Sequence, residues 1–217
     1  MTKLFGNIKY DIKAGFARNI WYYIIWIIVI TVLSLSIIPN SQVSFSWIDI
    51  IEIFMQGVDG NNIFEGNEMV QFPVELVVIQ IYIIIGIARF PKQDCDECGY
   101  NIWIRTRSKT AWWLSKVIWC FMHVVFMFIL EATVIILISY LKTGSFSMET
   151  SNFMHMNIPS AMEGKYYCVL FLLPIIVSFT VGIITMSISI CFDGVVGVLV
   201  GVGVTIMSIF VDNIFSI

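Results

Sequence analysis

Few side chains in this chain could do chemistry, and their types narrow the choice. Cys95-Asp-Glu-Cys98 is a CxxC pair. Structural zinc takes four ligands, and neither a second cysteine pair nor a nearby histidine accompanies this one. A thioredoxin-like use needs a βαβ setting, which the flanks do not supply. The pair reads as free thiols, and no metal site is assigned. Glu131 is the only carboxylate deep inside an apolar run. Placing a charge at the centre of a bilayer costs roughly 2.5–3.5 kcal/mol on insertion scales, and such residues are functional candidates by default. The plainer alternative puts Glu131 near the outer end of a tilted span, in reach of water. His123 lies about 80° away around the same helix, poor geometry for a pair, and reads as a packed histidine. Intramembrane proteolysis needs paired aspartates, a Ser–His arrangement or a metal-binding histidine pair. One intramembrane carboxylate and 2 histidines do not supply these, so no catalytic residue is assigned and the chain reads as a non-enzyme.

The segment richest in information is 89–116. It carries Arg89, Lys92, Arg105, Arg107, Lys109 and Lys116, interleaved with Tyr100, Trp103, Trp112 and Trp113. Trp and Tyr favour the headgroup level of a bilayer, so Trp112 and Trp113 are expected to anchor the start of a span. The bases read in two ways. They act as a topology signal, or they form, with the aromatics, a docking surface for a cytosolic partner. The aromatic excess favours docking, because Tyr, Trp and Arg dominate interface hot spots; Tyr100, Trp103, Arg105 and Arg107 are the candidates. One short loop is too little for nucleic acid, and no nucleic-acid partner is expected.

The elements that position these residues follow from hydropathy. Hydrophobic residues make up 59% of the 217 and charged residues 12%, against about half and a quarter in soluble domains. A helix crosses about 30 Å of hydrocarbon with about 20 apolar residues. Five runs qualify: 20–38, 72–89, 117–141, 166–192 and 194–211. The fold class is therefore all-α: one polytopic membrane domain over residues 1–217, with about five transmembrane helices. No small-residue cleavage site follows the first run, which reads as a retained anchor rather than a signal peptide. Before it, Leu4, Phe5, Ile8, Ile12, Gly15 and Phe16 share about a 120° arc, and Lys3, Lys9, Lys13 and Arg18 lie outside it. This is an amphipathic helix expected to rest in the interface. Ten of the 12 Lys and Arg precede the first run or lie between the second and third. On the opposite side, segment 40–71 is acidic with no Lys or Arg, and 142–165 carries Lys142, Glu149, Glu163 and Lys165. The positive-inside rule then places the N-terminus in the cytoplasm and the C-terminus outside.

The segment Gly99-Tyr-Asn-Ile-Trp-Ile-Arg-Thr-Arg-Ser-Lys109, followed by Trp112-Trp-Leu-Ser-Lys-Val-Ile-Trp119, resembles the cytosolic loop of small type-2 permeases of bacterial ATP-binding-cassette exporters. These are the kind found with lantibiotic, bacteriocin or drug efflux systems. Lys9-Tyr-Asp-Ile-Lys-Ala-Gly-Phe-Ala-Arg-Asn19 is similar to their N-terminal interfacial helix, and Phe72-Pro73 before the second run also fits. The resemblance covers roughly residues 1–140. It implies a permease in the bacterial plasma membrane that pairs with a second permease chain, identical or not, and with two cytosolic ATPases. ATP and Mg would bind in those partners and no cofactor in this chain. It also implies that Gly99–Lys109 acts as the coupling helix seated in the ATPase. Such permeases have six spans, and this chain shows five.

Gly197 and Gly201 give one GxxxG spacing, which suits close helix packing. Pro174 lies within the fourth run, where it bends or hinges the helix. Cys120, Cys168 and Cys191 fall in apolar runs as small hydrophobes. The substrate is not readable; the acidic outer loops suit cationic peptides. The competing expectation is a non-transporting membrane protein of the immunity, sensor or assembly kind.

Overall fold

The computed structural model describes residues 2–37, 47–55, 74–106, 108–143 and 163–215. Among them are seven helices and no strand. They are α1 (Thr2–Arg18), α2 (Ile20–Ile37), α3 (Trp47–Met55), α4 (Val74–Thr106), α5 (Lys109–Thr143), α6 (Glu163–Cys191) and α7 (Gly194–Phe215). Segments 38–46, 56–73 and 144–162, which include most of the expected outer loops, lie outside the described residues.

Three helices are long and apolar enough by themselves to cross a bilayer, over Val74–Asp96, Lys109–Lys142 and Phe171–Cys191. α1 and α2 pass that test only together, as a pair bent by 57°; the apolar part of α7, Gly194–Ser208, is shorter. Backbone hydrogen bonds continue through the bend, from Asn19 N to the Gly15 carbonyl at 3.2 Å and from Tyr23 N to the Asn19 carbonyl at 3.0 Å.

α4 and α5 run further than the apolar runs predict. Hydropathy ends the second run at Arg89 and leaves 90–116 as a loop. Instead α4 continues to Thr106, passing through Pro91, and α5 starts at Lys109. A proline inside a helix removes one backbone donor. Here the neighbouring turn is tied from outside, because Ser189 Oγ donates to the Ala88 carbonyl at 2.9 Å. α5 is capped by Ser108, whose Oγ accepts the Ala111 N–H at 3.3 Å, an N-cap arrangement. At 35 residues, α5 is about 52 Å long, well beyond the hydrocarbon thickness.

α1 and α2 pack on α5, α7 packs on α6, and α4 and α6 pack on each other between them. The core runs along this seam through Trp26, Ile30, Ile83, Ile87, Phe90, Trp119, Val124 and Met127. Tyr82 stacks between Tyr22 and Trp26, with ring centroids 4.4 and 4.5 Å away. Polar links cross between helices: Gln80 Nε2 donates to Ser178 Oγ at 2.7 Å. The outward faces are apolar as well. Trp21 is 73% exposed, and Val32, Leu137, Leu173, Leu199 and Met207 are exposed with it. A soluble protein rarely leaves so extended an apolar surface open to water, whereas lipid covers it without cost.

Candidate functional site

Among the described residues, the buried carboxylates and the buried lysine lie in two places. The first lies where α1 crosses α4 and α5. Lys116 is fully buried. Its Nζ donates to Asp11 Oδ1 at 2.8 Å and to Asp94 Oδ2 at 2.5 Å. It also sits 4.6 Å from the centre of the Phe90 ring and 5.7 Å from that of Trp112, within cation–π range. Arg18 adds a second cation, 3.8 Å from Asp94 Oδ1. Ser115 Oγ lies 2.6 Å from Asp11 Oδ2 and 2.7 Å from the Trp112 carbonyl. Its single proton serves one acceptor at a time, and the carboxylate is the stronger. Two cations and two carboxylates thus close a neutral cluster. Burial raises the Asp11 carboxyl above its ordinary value of 3.8, against the opposing pull of Lys116 and the Ser115 hydrogen bond.

This cluster changes the reading of several residues. Lys116 and Trp112 are both buried within the protein rather than free at its surface. In α1 the predicted apolar arc is shifted. Phe5 is 71% exposed, whereas Asp11, Gly15 and Asn19 are buried. A Cβ on Gly15 would collide with the Trp119 indole, so only glycine lets α1 approach α5 this closely.

His123 is a packed residue. Its Nδ1 lies 2.8 Å from the Tyr23 hydroxyl, its ring stacks on Trp119 at 5.2 Å, and Gly86 makes room for its other edge. No described contact joins it to Glu131.

The second place is Glu131, further along α5. It is 3% exposed. It borders a cavity of about 30 Å³ walled by Ile51 and Met55 of α3, Phe128 and Ala132 of α5, and Phe171 and Ile175 of α6. Such a volume suits about one water molecule. Oε1 has no hydrogen-bond partner among the described residues. Glu131 therefore does not reach water at the end of a tilted span; α3 covers it.

No family model, curated protein or solved structure matches this chain. Geometry alone therefore speaks for the site.

Of the docking residues, Tyr100, Trp103 and Arg105 fall on the last turns of α4; their side chains, and Arg107 altogether, lie outside the described residues. Gly99–Thr106 is a continuation of α4 and not a separate short helix. Cys95 is a half-buried free thiol, and no metal-binding group of three or more His, Cys, Asp or Glu occurs among the described residues. Gly197 and Gly201 are buried where α7 meets α6. A Cβ on Gly197 would come within 2.9 Å of the Thr185 carbonyl, and one on Gly201 would collide with the Thr185 hydroxyl.

Sequence reasoning assigned no role to Asp11, Asp94 or Gly15. The one local signal was Asp11 itself, an acid among the bases of a helix otherwise suited to a membrane surface.

Proposed function

We propose that this chain is the membrane-spanning permease subunit of an ATP-driven exporter in a bacterial plasma membrane. It would move a peptide or another antimicrobial or hydrophobic substrate outward, with work supplied by a separate cytosolic ATP-binding-cassette ATPase. One observation carries this reading. α4 leaves its apolar stretch and continues unbroken to Thr106, and the base of that extension is clamped to α1 and α5 through Lys116. A partner that presses on Tyr100, Trp103 and Arg105 would therefore push a stiff lever whose motion reaches the whole bundle. A loop of the same composition would absorb the push.

The finer topology belongs to the same proposal: five spans, N-terminus inside, C-terminus outside. α1 would lie in the interface, bent away from α2, with Lys9 and Lys13 exposed toward anionic headgroups. A second permease chain would complete the translocation path, and ATP and Mg would bind in the ATPases.

The test is a double variant, Tyr100→Ala with Trp103→Ala, which keeps every positive charge. Truncating hot-spot residues costs about 2 kcal/mol or more, roughly thirtyfold in affinity. Insertion should be normal, and the ATPase-to-permease ratio after affinity purification should fall. An unchanged ratio with unchanged ATP-dependent export removes the docking role.

A second reading, a non-transporting immunity, sensor or assembly protein, is favoured by the modest number of helices that are long enough to span alone. Purification as a lone oligomer, with no ATPase, would select it.

A further inference from the structure

The helices α4 and α7 change polarity at the same level. Along one face of α4, Ile85 and Ala88 give way to Arg89, Lys92 and Asp96; α7 begins at Asp193-Gly194 and turns apolar at Val195 and Val198. Between them is an open groove of about 670 Å³, within the size range of small-molecule sites. Its floor is aliphatic and its rim is charged. The floor is continuous with apolar surface that faces outward: Val195 is 66% exposed, and Ile85 and Phe192 are exposed beside it.

Both carboxylates at the rim are already engaged. Asp193 Oδ1 accepts the adjacent Gly194 N–H at 2.7 Å, at the start of α7. Asp96 pairs with Lys92 at 3.7 Å, one helical turn away. That pair is partly exposed, a class that contributes little, and so leaves Lys92 able to turn toward a better anion. Arg89 is exposed and has no ion-pair partner among the described residues. The N-terminal end of α7 adds its positive dipole on the same side. The rim's two bases and two carboxylates balance in formal charge. Because Arg89 has no ion-pair partner among the described residues, the groove still offers a free guanidinium beside an aliphatic floor that opens sideways. That is complementary to a molecule with an anionic head and apolar tails.

We infer that this groove holds an anionic phospholipid. Its phosphodiester sits on Arg89 and Lys92, and its acyl chains run along Ile85, Val195 and Val198. Basic pockets between spanning helices on the cytoplasmic side are suited to such headgroups. The site needs an inserted chain with this end at the interface. It does not need an exporter, so lipid retention and ATPase co-purification fail independently.

The experiment uses the full chain, purified in a neutral detergent and incubated with equal amounts of phosphatidylglycerol and phosphatidylcholine, with retained lipid read by native mass spectrometry. Phosphatidylglycerol should be retained preferentially. Arg89→Gln should weaken its retention about tenfold, the effect of losing one charge-assisted contact. Val198→Trp, which fills the groove and keeps every charge, should weaken it too. Lys142→Gln, at the other end of α5, should not. Size-exclusion elution and helix content check the fold of each variant; both groove positions are solvent-accessible, so either variant alone keeps the test open. Equal retention of the two lipids overturns the inference. So does full retention in Val198→Trp, which would reduce the effect to surface charge. Complete displacement of phosphatidylglycerol by millimolar inorganic phosphate would make the site one for free phosphate and overturns the lipid assignment.

Discussion

Lys116 and Glu131 lie on one helix, about 22 Å apart, and the protein treats them in opposite ways. Lys116 is surrounded by two carboxylates, two aromatic rings and a second cation from three helices. Glu131 has aliphatic and aromatic walls, a water-sized cavity and an oxygen with no described partner. Burying a charge is tolerable when it is paired and hydrogen-bonded and expensive when it is not. The Lys116 cluster has the construction of a joint. No described ion pair ties Glu131 to another helix, so its presence asks for another reason, and an intramembrane polar site is one.

The sharpest way to break this comparison is to unmake the joint. Lys116→Ala leaves Asp11 and Asp94 buried with only Arg18 to offset them. Removing one partner from a buried ion pair costs about 3–5 kcal/mol. The variant should unfold at markedly lower temperature or denaturant concentration in detergent, with α1 the first element to lose protease protection. Unfolding indistinguishable from the parent would mean that water already reaches the cluster.

Close packing offers an uncharged comparison. Gly15→Leu drives α1 off Trp119, and Gly201→Leu drives α7 off Thr185 and Ile84. Overpacking costs about 1–3 kcal/mol. The two variants should lose similar stability, but only Gly15→Leu should expose α1 to protease. If Gly201→Leu leaves both stability and assembly unchanged, α7 does not depend on its contact with α6.

Asp11→Asn should do less. Its carboxyl is raised above 3.8 by burial, more than Lys116 lowers it. For an acid with a raised folded-state value, the stabilising contribution is full below the unfolded value of 3.8 and is lost as pH rises through the folded value. At neutral pH the ionised carboxylate bears a burial cost that offsets part of its pairing. In Asp11→Asn, Lys116 keeps Asp94 as counter-ion, so the loss should stay below the roughly 3–5 kcal/mol of a fully broken buried pair. The variant should also flatten the pH dependence of stability above pH 3.8 that the raised Asp11 carboxyl produces. A loss as large as that of Lys116→Ala would show that the ion pair outweighs burial.

These joints explain what could and could not be read from the chain. Hydropathy is a local property, so the helical class and the apolar runs were legible. The cluster was not, because Asp11 and Lys116 stand 105 positions apart, and nothing local distinguishes a buried lysine from a topology charge. The stretch after Arg89 was read as a loop because its composition is polar. It is helical because distant residues support it, Ser189 at Ala88 and Lys116 at Asp94. The spacing of Gly197 and Gly201 pointed to packing. Gly15, as tightly placed, stood alone in its segment and was read only as one more position on an apolar arc.

The smallest structural effect is expected where the comparison is most exposed to test. Glu131→Gln keeps size and shape and removes only the charge. Were Glu131 a member of a hidden ion pair, the swap would strand its partner and cost as much as breaking the Lys116 joint. The described walls contain no cation: they are Ile51, Met55, Phe128, Ala132, Phe171 and Ile175. A neutral amide in such a place is less costly to bury than a carboxylate, so stability should stay within about 1 kcal/mol of the parent or rise. The measurement is thermal unfolding in detergent, beside export in cells that also carry the proposed ATPase partner. Unchanged stability with lost export would assign Glu131 to the path of the transported substrate. Unchanged stability with unchanged export would leave it a tolerated acid without a task. A large loss of stability would erase the contrast between the two ends of α5, because Glu131 would then be a joint as well.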